Sequence, residues 1–127
     1  MIVDTSAILA VLFREADAPR YARKIAETSR CRLSVANLLE ASIVIGVRAR
    51  AADTELDLFV ERAEIELVPV SLEHASAARD AWRRFGKGRH PAALNFGDCF
   101  AYGLARVAGE PLLFKGEDFA LTDIEAA

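Results

Sequence analysis

Apolar residues change period repeatedly along the chain, and each change marks an element. Residues 1–4 read as a short buried strand, and Thr5 or Ser6 can cap a helix whose apolar face is Ile8, Leu9, Leu12 and Phe13. Asp17 caps a second helix with Pro19 in its first turn. Cys31 to Leu33 form a strand, and Ser34 opens a long apolar helix to about Arg50. Asp53 or Thr54 opens an acidic amphipathic helix to about Ala63. The run from Ile65 to Val70 alternates as a strand does. Ser71 caps a helix to about Phe85, with Ala75, Ala78, Trp82 and Phe85 on one face and Trp82 expected in the core. A basic loop, Lys87 to Pro91, leads to a helix from Phe96 to Val107, a strand from Pro111 to Phe114 and the turn K-G-E-D-F. Strands alternating with helices imply an α/β sandwich with a mainly parallel sheet. The first strand ends in a carboxylate, at the edge where such sheets place their sites.

Composition narrows this picture. With 127 residues, 53% of them hydrophobic, the chain supports one domain, 1–127, with a packed core. Its net charge of −3 excludes a generic polyanion binder, so any nucleic acid must be met by a local basic patch or by metal ions. The chain offers neither an apolar run of membrane-spanning length nor a signal-peptide pattern, and a cytoplasmic location is expected. Cys31 and Cys99 stand alone and read as small buried thiols.

Charge is distributed unevenly. Although 28% of residues are charged, Met1–Phe13 carries one charge, Asp4; Ser34–Val47 carries one, Glu40; and Pro91–Ala105 carries one, Asp98. All three are acids. Singly, each has a local explanation: Asp4 as a helix cap, Asp98 in a helix's first turn, Glu40 paired with a cation such as Arg14. Recurrence in three separate apolar segments favours convergence on one site. Crowded carboxylates repel and their pKa values rise, a penalty that a divalent cation removes. Ligation by oxygen alone suits Mg²⁺ or Mn²⁺, and such a cluster serves phosphodiester hydrolysis. A fourth acid is expected in K-G-E-D-F, where Asp118 is preferred to Glu117, with Asp123 weaker.

Four stretches, M-I-V-D-T-S-A-I-L-A, L-S-V-A-N-L-L-E-A, L-N-F-G-D-C-F-A-Y-G-L-A and P-L-L-F-K-G-E-D-F-A-L-T-D-I, resemble in order and spacing the PIN domains of VapC-type toxin ribonucleases from type II toxin–antitoxin systems. The resemblance spans essentially the whole chain. It implies a PIN-like three-layer sandwich and a metal-dependent endoribonuclease, using Mg²⁺ or Mn²⁺ and metal-activated water. Asp4, Glu40, Asp98 and Asp118 would be the catalytic and metal-binding quartet, with Thr5 and Ser6 in support. Glu117 departs from the pattern, since relatives often carry a neutral residue before the fourth acid. The resemblance further implies a homodimer silenced by a cognate VapB-type antitoxin, which lays an amphipathic segment in an apolar groove and directs a basic side chain at the acids.

An acidic protein that cuts RNA needs local cations. Arg83, Arg84, Lys87, Arg89 and His90 cluster before the Asp98 helix and are candidates to hold phosphates, chiefly Arg84, Lys87 and Arg89; Lys115 is another. His74 reads as structural and His90 as a loop residue. A receiver-type phosphoacceptor domain shares the length and layering, but V-P-V-S at 68–71 lacks its acceptor aspartate and Glu40 would be unexplained. A dehalogenase-like phosphatase wants D-x-D where this chain has D-T-S. A catalytically silent PIN-fold binding module is the alternative of a different class; intact acids at all four positions weigh against it.

Overall fold

The computed structural model describes residues 1–48 and 54–127. Its elements follow the order β1 (Ile2–Val3), α1 (Thr5–Leu12), α2 (Ala18–Glu27), β2 (Arg32–Ser34), α3 (Val35–Arg48), α4 (Thr54–Arg62), β3 (Glu66–Val68), α5 (Leu72–Phe85), α6 (Phe96–Ala108) and β4 (Leu112–Leu113), with a 3₁₀ turn at Phe119–Leu121. The expected continuation of α3 to Arg50, and a start of α4 at Asp53, lie outside the described residues.

The strands pair in the order β3-β2-β1-β4, and every described pairing is parallel. Ile2 stands opposite both Arg32 and Leu112, and Val3 opposite Leu113. Strand alternation then feeds two cores. Val3, Leu33 and Leu113 pack with α1 to α4 on one face; Ile2 and Leu112 pack with α5 and α6 on the other. This is the parallel α/β sandwich expected from the pattern, in the three layers that the resemblance implies. Leu33 and Leu112 are fully buried, so truncating either to alanine would cost about 2–5 kcal/mol through lost burial and the cavity left behind.

Three strands are shorter than the apolar runs suggested, since residues such as Met1 and Ile65 continue the core without continuing the ladder, and β2 is shifted one residue from the expected Cys31–Leu33 to end at Ser34. The cap of α1 also differs from expectation. Asp4, rather than Thr5 or Ser6, is the N-cap, its side chain accepting the Ser6 N–H. Ser71 caps α5 as expected, and His74 completes the capping box, consistent with a structural role. Trp82 is a correction: it is 44% exposed, and Ala81 takes the buried position instead. One and two turns before Trp82, α6 approaches α5 so closely that a Cβ at Gly103 would stand 2.6 Å from the His74 carbonyl oxygen and 3.4 Å from the Ala78 Cβ. Cys31 and Cys99 are buried free thiols, each pushed up mainly by burial, Cys99 to about 11.

Chain order moves from β1 through β2 to β3 and then returns to place β4 on the far side of β1. The crevice beyond the carboxyl ends of β1 and β4 is therefore the topological switch point. Asp4 follows β1 directly, and the turn carrying Glu117 and Asp118 follows β4.

Candidate active site

Asp4 is 3% exposed at the mouth of this crevice. Its Oδ2 accepts the Ser6 N–H at 2.9 Å and the Ser6 hydroxyl at 2.5 Å. The same hydroxyl accepts the Lys115 N–H at 2.9 Å, which ties the end of β1 to the end of β4. Asp4 Oδ1 is buried and has no hydrogen-bond partner. Burial, reinforced by the charge of Glu40, pushes the Asp4 carboxyl up to about 6, against the opposing pull of the Ser6 bonds.

Glu40 projects from the middle of α3, and its Oε2 accepts the Thr5 hydroxyl at 2.6 Å and the Asn37 amide at 3.1 Å. The suggested partnership with Arg14 is not formed; hydroxyl and amide donors take its place. Across the pocket, the Glu40 carboxylate lies against Gly97 in the first turn of α6. Asp98, the next residue, shares a capping box with Asn95: its Oδ2 accepts the Asn95 N–H at 2.9 Å, and Asn95 Oδ1 accepts the Asp98 N–H at 2.9 Å. Burial pushes Asp98 up to about 7, opposed by the Asn95 N–H and reinforced by the charges of Asp4, Glu40 and Asp118. The four acids thus come from four segments and act on one another electrostatically.

A common geometry links the three central acids. Each has one oxygen anchored by a donor two or three residues away in the chain: Oδ2 in Asp4, Oε2 in Glu40, which Thr5 also holds from α1, and Oδ2 in Asp98. Local capping and convergence on one pocket are therefore compatible. Among the described residues, no three Asp, Glu, His or Cys side chains form a cage that could hold a metal ion as they stand. The acids share a field, with Asp4 Oδ1 the buried oxygen left without a donor.

The candidate phosphate contacts divide into two groups. The Arg84 guanidinium is engaged by Asp123 at 2.9 Å and Asp80 at 3.5 Å, and stacks on Phe85 at 4.6 Å. Lys115 Nζ is held by Glu15 and, at 2.8 Å, by Asp17, and its pKa is raised by those bonds. Arg89 lies over the Trp82 ring at 4.7 Å, and Lys87 borders an apolar cleft of about 480 Å³ together with Trp82, Phe96 and Phe100. Lys87 and Arg89 make no salt bridge among the described residues. His90 Nδ1 accepts the Ala92 N–H at 3.1 Å, a loop-bracing bond.

Sequence reasoning overlooked Asn37 and Gly97. Asn37 is fully buried, and its amide bridges Glu40 Oε2 and the Gly97 carbonyl, the latter at 3.0 Å. A signal was present: a polar side chain in the same apolar segment as Glu40, one helical turn before it. Counting charges alone passed over it.

A parallel α/β sandwich with carboxylates gathered at its switch point defines a class of acid-site α/β domains. The family model described as PIN domain matches residues 1–125, and the chain belongs to that family. It is 52% identical over 126 residues to Ribonuclease VapC30 of Mycobacterium tuberculosis, covering 98% of this chain and 95% of the relative. Among solved structures, it is similar to the Mycobacterium tuberculosis toxin VapC20, described as Sarcin-Ricin loop cleaving, with a TM-score of 0.77 at 16% identity, covering 99% of this chain and 97% of the other. It is also similar to a chain of a toxin-antitoxin complex from Klebsiella pneumoniae, with a TM-score of 0.66 at 16% identity, covering 94% and 89%.

Proposed function

We propose that residues 1–127 act as a single nuclease domain: the endoribonuclease toxin of a VapBC-type module, cutting RNA phosphodiester bonds by hydrolysis. The observation that supports this reading is the approach of Asp4, Glu40 and Asp98 to one crevice, linked by the Thr5–Glu40 bond and the Glu40–Gly97 contact, with burial and neighbouring acids, Asp118 among them, raising Asp98. VapC30, at 52% identity, is named a ribonuclease, which supports the same substrate class.

The donor set fits a divalent cation such as Mg²⁺ or Mn²⁺. It consists of carboxylate oxygens, and Asp4 Oδ1 is buried without any other partner. Asp4, Glu40, Asp98 and Asp118 would hold the ion. Bound there, it would supply charge neutralisation and Lewis acidity at the phosphate. The chain's own residues prepare that ground. Ser6 holds Asp4, and Thr5 with Asn37 holds Glu40. The Asn95 cap fixes Asp98 on a rigid helix end. Lys87 and Arg89, not engaged by described acids, are the better placed candidates to hold RNA phosphates. Arg84 and Lys115 would first have to leave their carboxylate partners.

A VapB-type antitoxin is the proposed partner, in keeping with the toxin-antitoxin complex of similar fold. A homodimer is proposed through α3, whose Leu39, Ile43 and Val47 expose an apolar stripe at helical spacing. A cytoplasmic location is proposed; no described helix is long and apolar enough to cross a membrane.

The deciding experiment is cleavage of structured RNA by the purified chain with Mg²⁺ or Mn²⁺, with chelator, and with Asp98→Asn. Metal-dependent cutting that disappears in the variant is the expected outcome. Cutting that survives both chelator and substitution would reject the metal-dependent site, and no cutting by the wild type would favour a silent binding module.

A further inference from the structure

Asn37 is fully buried, yet its amide has two acceptors and no donor beside it. Nδ2 donates to Glu40 Oε2 at 3.1 Å and to the Gly97 carbonyl at 3.0 Å. Turning the amide over would set its oxygen against two acceptors, so the chemistry of the neighbours fixes its orientation. The consequence is that Asn37 Oδ1 is buried without a partner. A buried polar atom left so is unfavourable, and an apolar side chain of similar volume would satisfy packing without it. Core filling therefore does not account for Asn37.

Gly97 supplies the other half. A Cβ on it would stand 2.0 Å from Glu40 Oε1 and 2.4 Å from Cδ, so even alanine would collide with the carboxylate. Glycine weakens a helix, and the Gly97 backbone has no left-handed conformation that would call for one. The space it leaves is occupied by Glu40. Asn37 and Gly97 thus act on the same carboxylate, one by a bond and one by a gap. Because Asn37 also bonds the Gly97 carbonyl, one side chain ties α3, carrying Glu40, to the first turn of α6, carrying Asp98.

We infer that Asn37 is a positioning residue of the acid pocket: with Thr5 it occupies Glu40 Oε2, leaves Oε1, seated beside Gly97 without a hydrogen bond among the described residues, as the oxygen for a divalent cation, and sets the spacing of Glu40 from Asp98, while Gly97 provides the gap that makes this possible. The inference rests on the proposed reading of the acids as the metal and cleavage site. Partners that orient metal-binding side chains are worth about 10–100-fold in affinity or activity.

The test compares wild type, Asn37→Leu and Gly97→Ala for thermal unfolding without metal, Mn²⁺ affinity by calorimetry, and kcat and KM on RNA at saturating Mn²⁺. Asn37→Leu keeps the branched shape, with somewhat larger end groups, and removes both donor and stranded oxygen. It is expected to stay folded, to bind Mn²⁺ about 10–100-fold more weakly, and to lose kcat by more than KM rises. Gly97→Ala is expected to show the same loss of Mn²⁺ affinity by displacing Glu40 rather than releasing it, and it carries the test if Asn37→Leu does not fold. A folded variant with a changed melting temperature but wild-type Mn²⁺ affinity and kcat would reduce Asn37 to a packing residue and overturn the inference while leaving the proposed function intact. A wild-type chain that neither binds Mn²⁺ nor cuts RNA removes the proposed function and this inference together.

Discussion

Carboxylates in two parts of this molecule are in opposite electrostatic states. At the switch-point crevice, Asp4 and Asp98 are pushed up to about 6 and about 7, mainly by burial, and neighbouring acids add to the effect. Between the last turn of α5 and the second half of α6, Asp123 receives Arg84, Arg106 and the Tyr102 hydroxyl, and against its burial these partners lower its pKa. Tyr102 is in turn raised to about 12, by burial and then by the Asp123 bond. Asp17 beside Lys115 is lowered in the same way. The chain thus satisfies its peripheral acids internally and leaves the central ones short of positive charge. That deficit supports the proposed reading of the crevice as a ligand site.

The contrast can be broken experimentally. The largest effect should come from Asp98→Asn, which retains the capping geometry and removes a charge. RNA cleavage should fall by at least about 10²-fold, on the scale of losing one preorganised electrostatic group, in a gel-based cleavage assay with Mg²⁺. Next in size is ligand-linked stability. Mn²⁺ at about 100 times its dissociation constant should stabilise the wild type by about 2.7 kcal/mol, read as a rise in melting temperature that Asp4→Asn loses.

The pH dependence sharpens the same point. Asp98 titrates near 7 when folded and near its ordinary value of about 4 when unfolded, so between these limits the folded chain binds more protons. Stability from this group is fully present below about pH 4 and is lost as pH rises through about 7. In chelator, wild type should therefore lose stability relative to Asp98→Asn across that window, in denaturant titrations at successive pH values; parallel curves would contradict the assignment. The smallest effect belongs to the satisfied region. Asp123→Asn should cost about 1 kcal/mol or less, as exposed ion pairs do, and leave RNA cleavage unchanged. A large loss of cleavage there would dissolve the distinction between the two regions.

Much of the site was legible in the chain because burying charge is costly and so leaves a statistical trace. Asp4, Glu40 and Asp98 stand out as single charges in apolar segments, and the structure brings their segments to one crevice. Asp118 carries no such trace, since its turn is polar in any case; it is preferred to Glu117 because Phe119 beside it can pack and fix the turn, and the resemblance matches the same position. The sequence pattern could not tell that Trp82 is 44% exposed, because α5 offers apolar positions around much of its surface and only the docked structure shows that Ala78, Ala81 and Phe85 are the buried ones. Nor could it tell that Lys115 and Arg84 are engaged, since their partners at Glu15, Asp17 and Asp123 are remote in the chain.

The residues alone determined the alternation of strands and helices, the mainly parallel sandwich and the identity of the isolated acids, because periodicity and desolvation act on each segment separately. Only the tertiary structure decided which carboxylate oxygen is anchored, which cations are already taken, and that a buried asparagine and a glycine sixty positions apart grip the same glutamate. Those outcomes depend on how α3 and α6 dock across the sheet edge, and an ångström of shift there would exchange one hydrogen-bond partner for another.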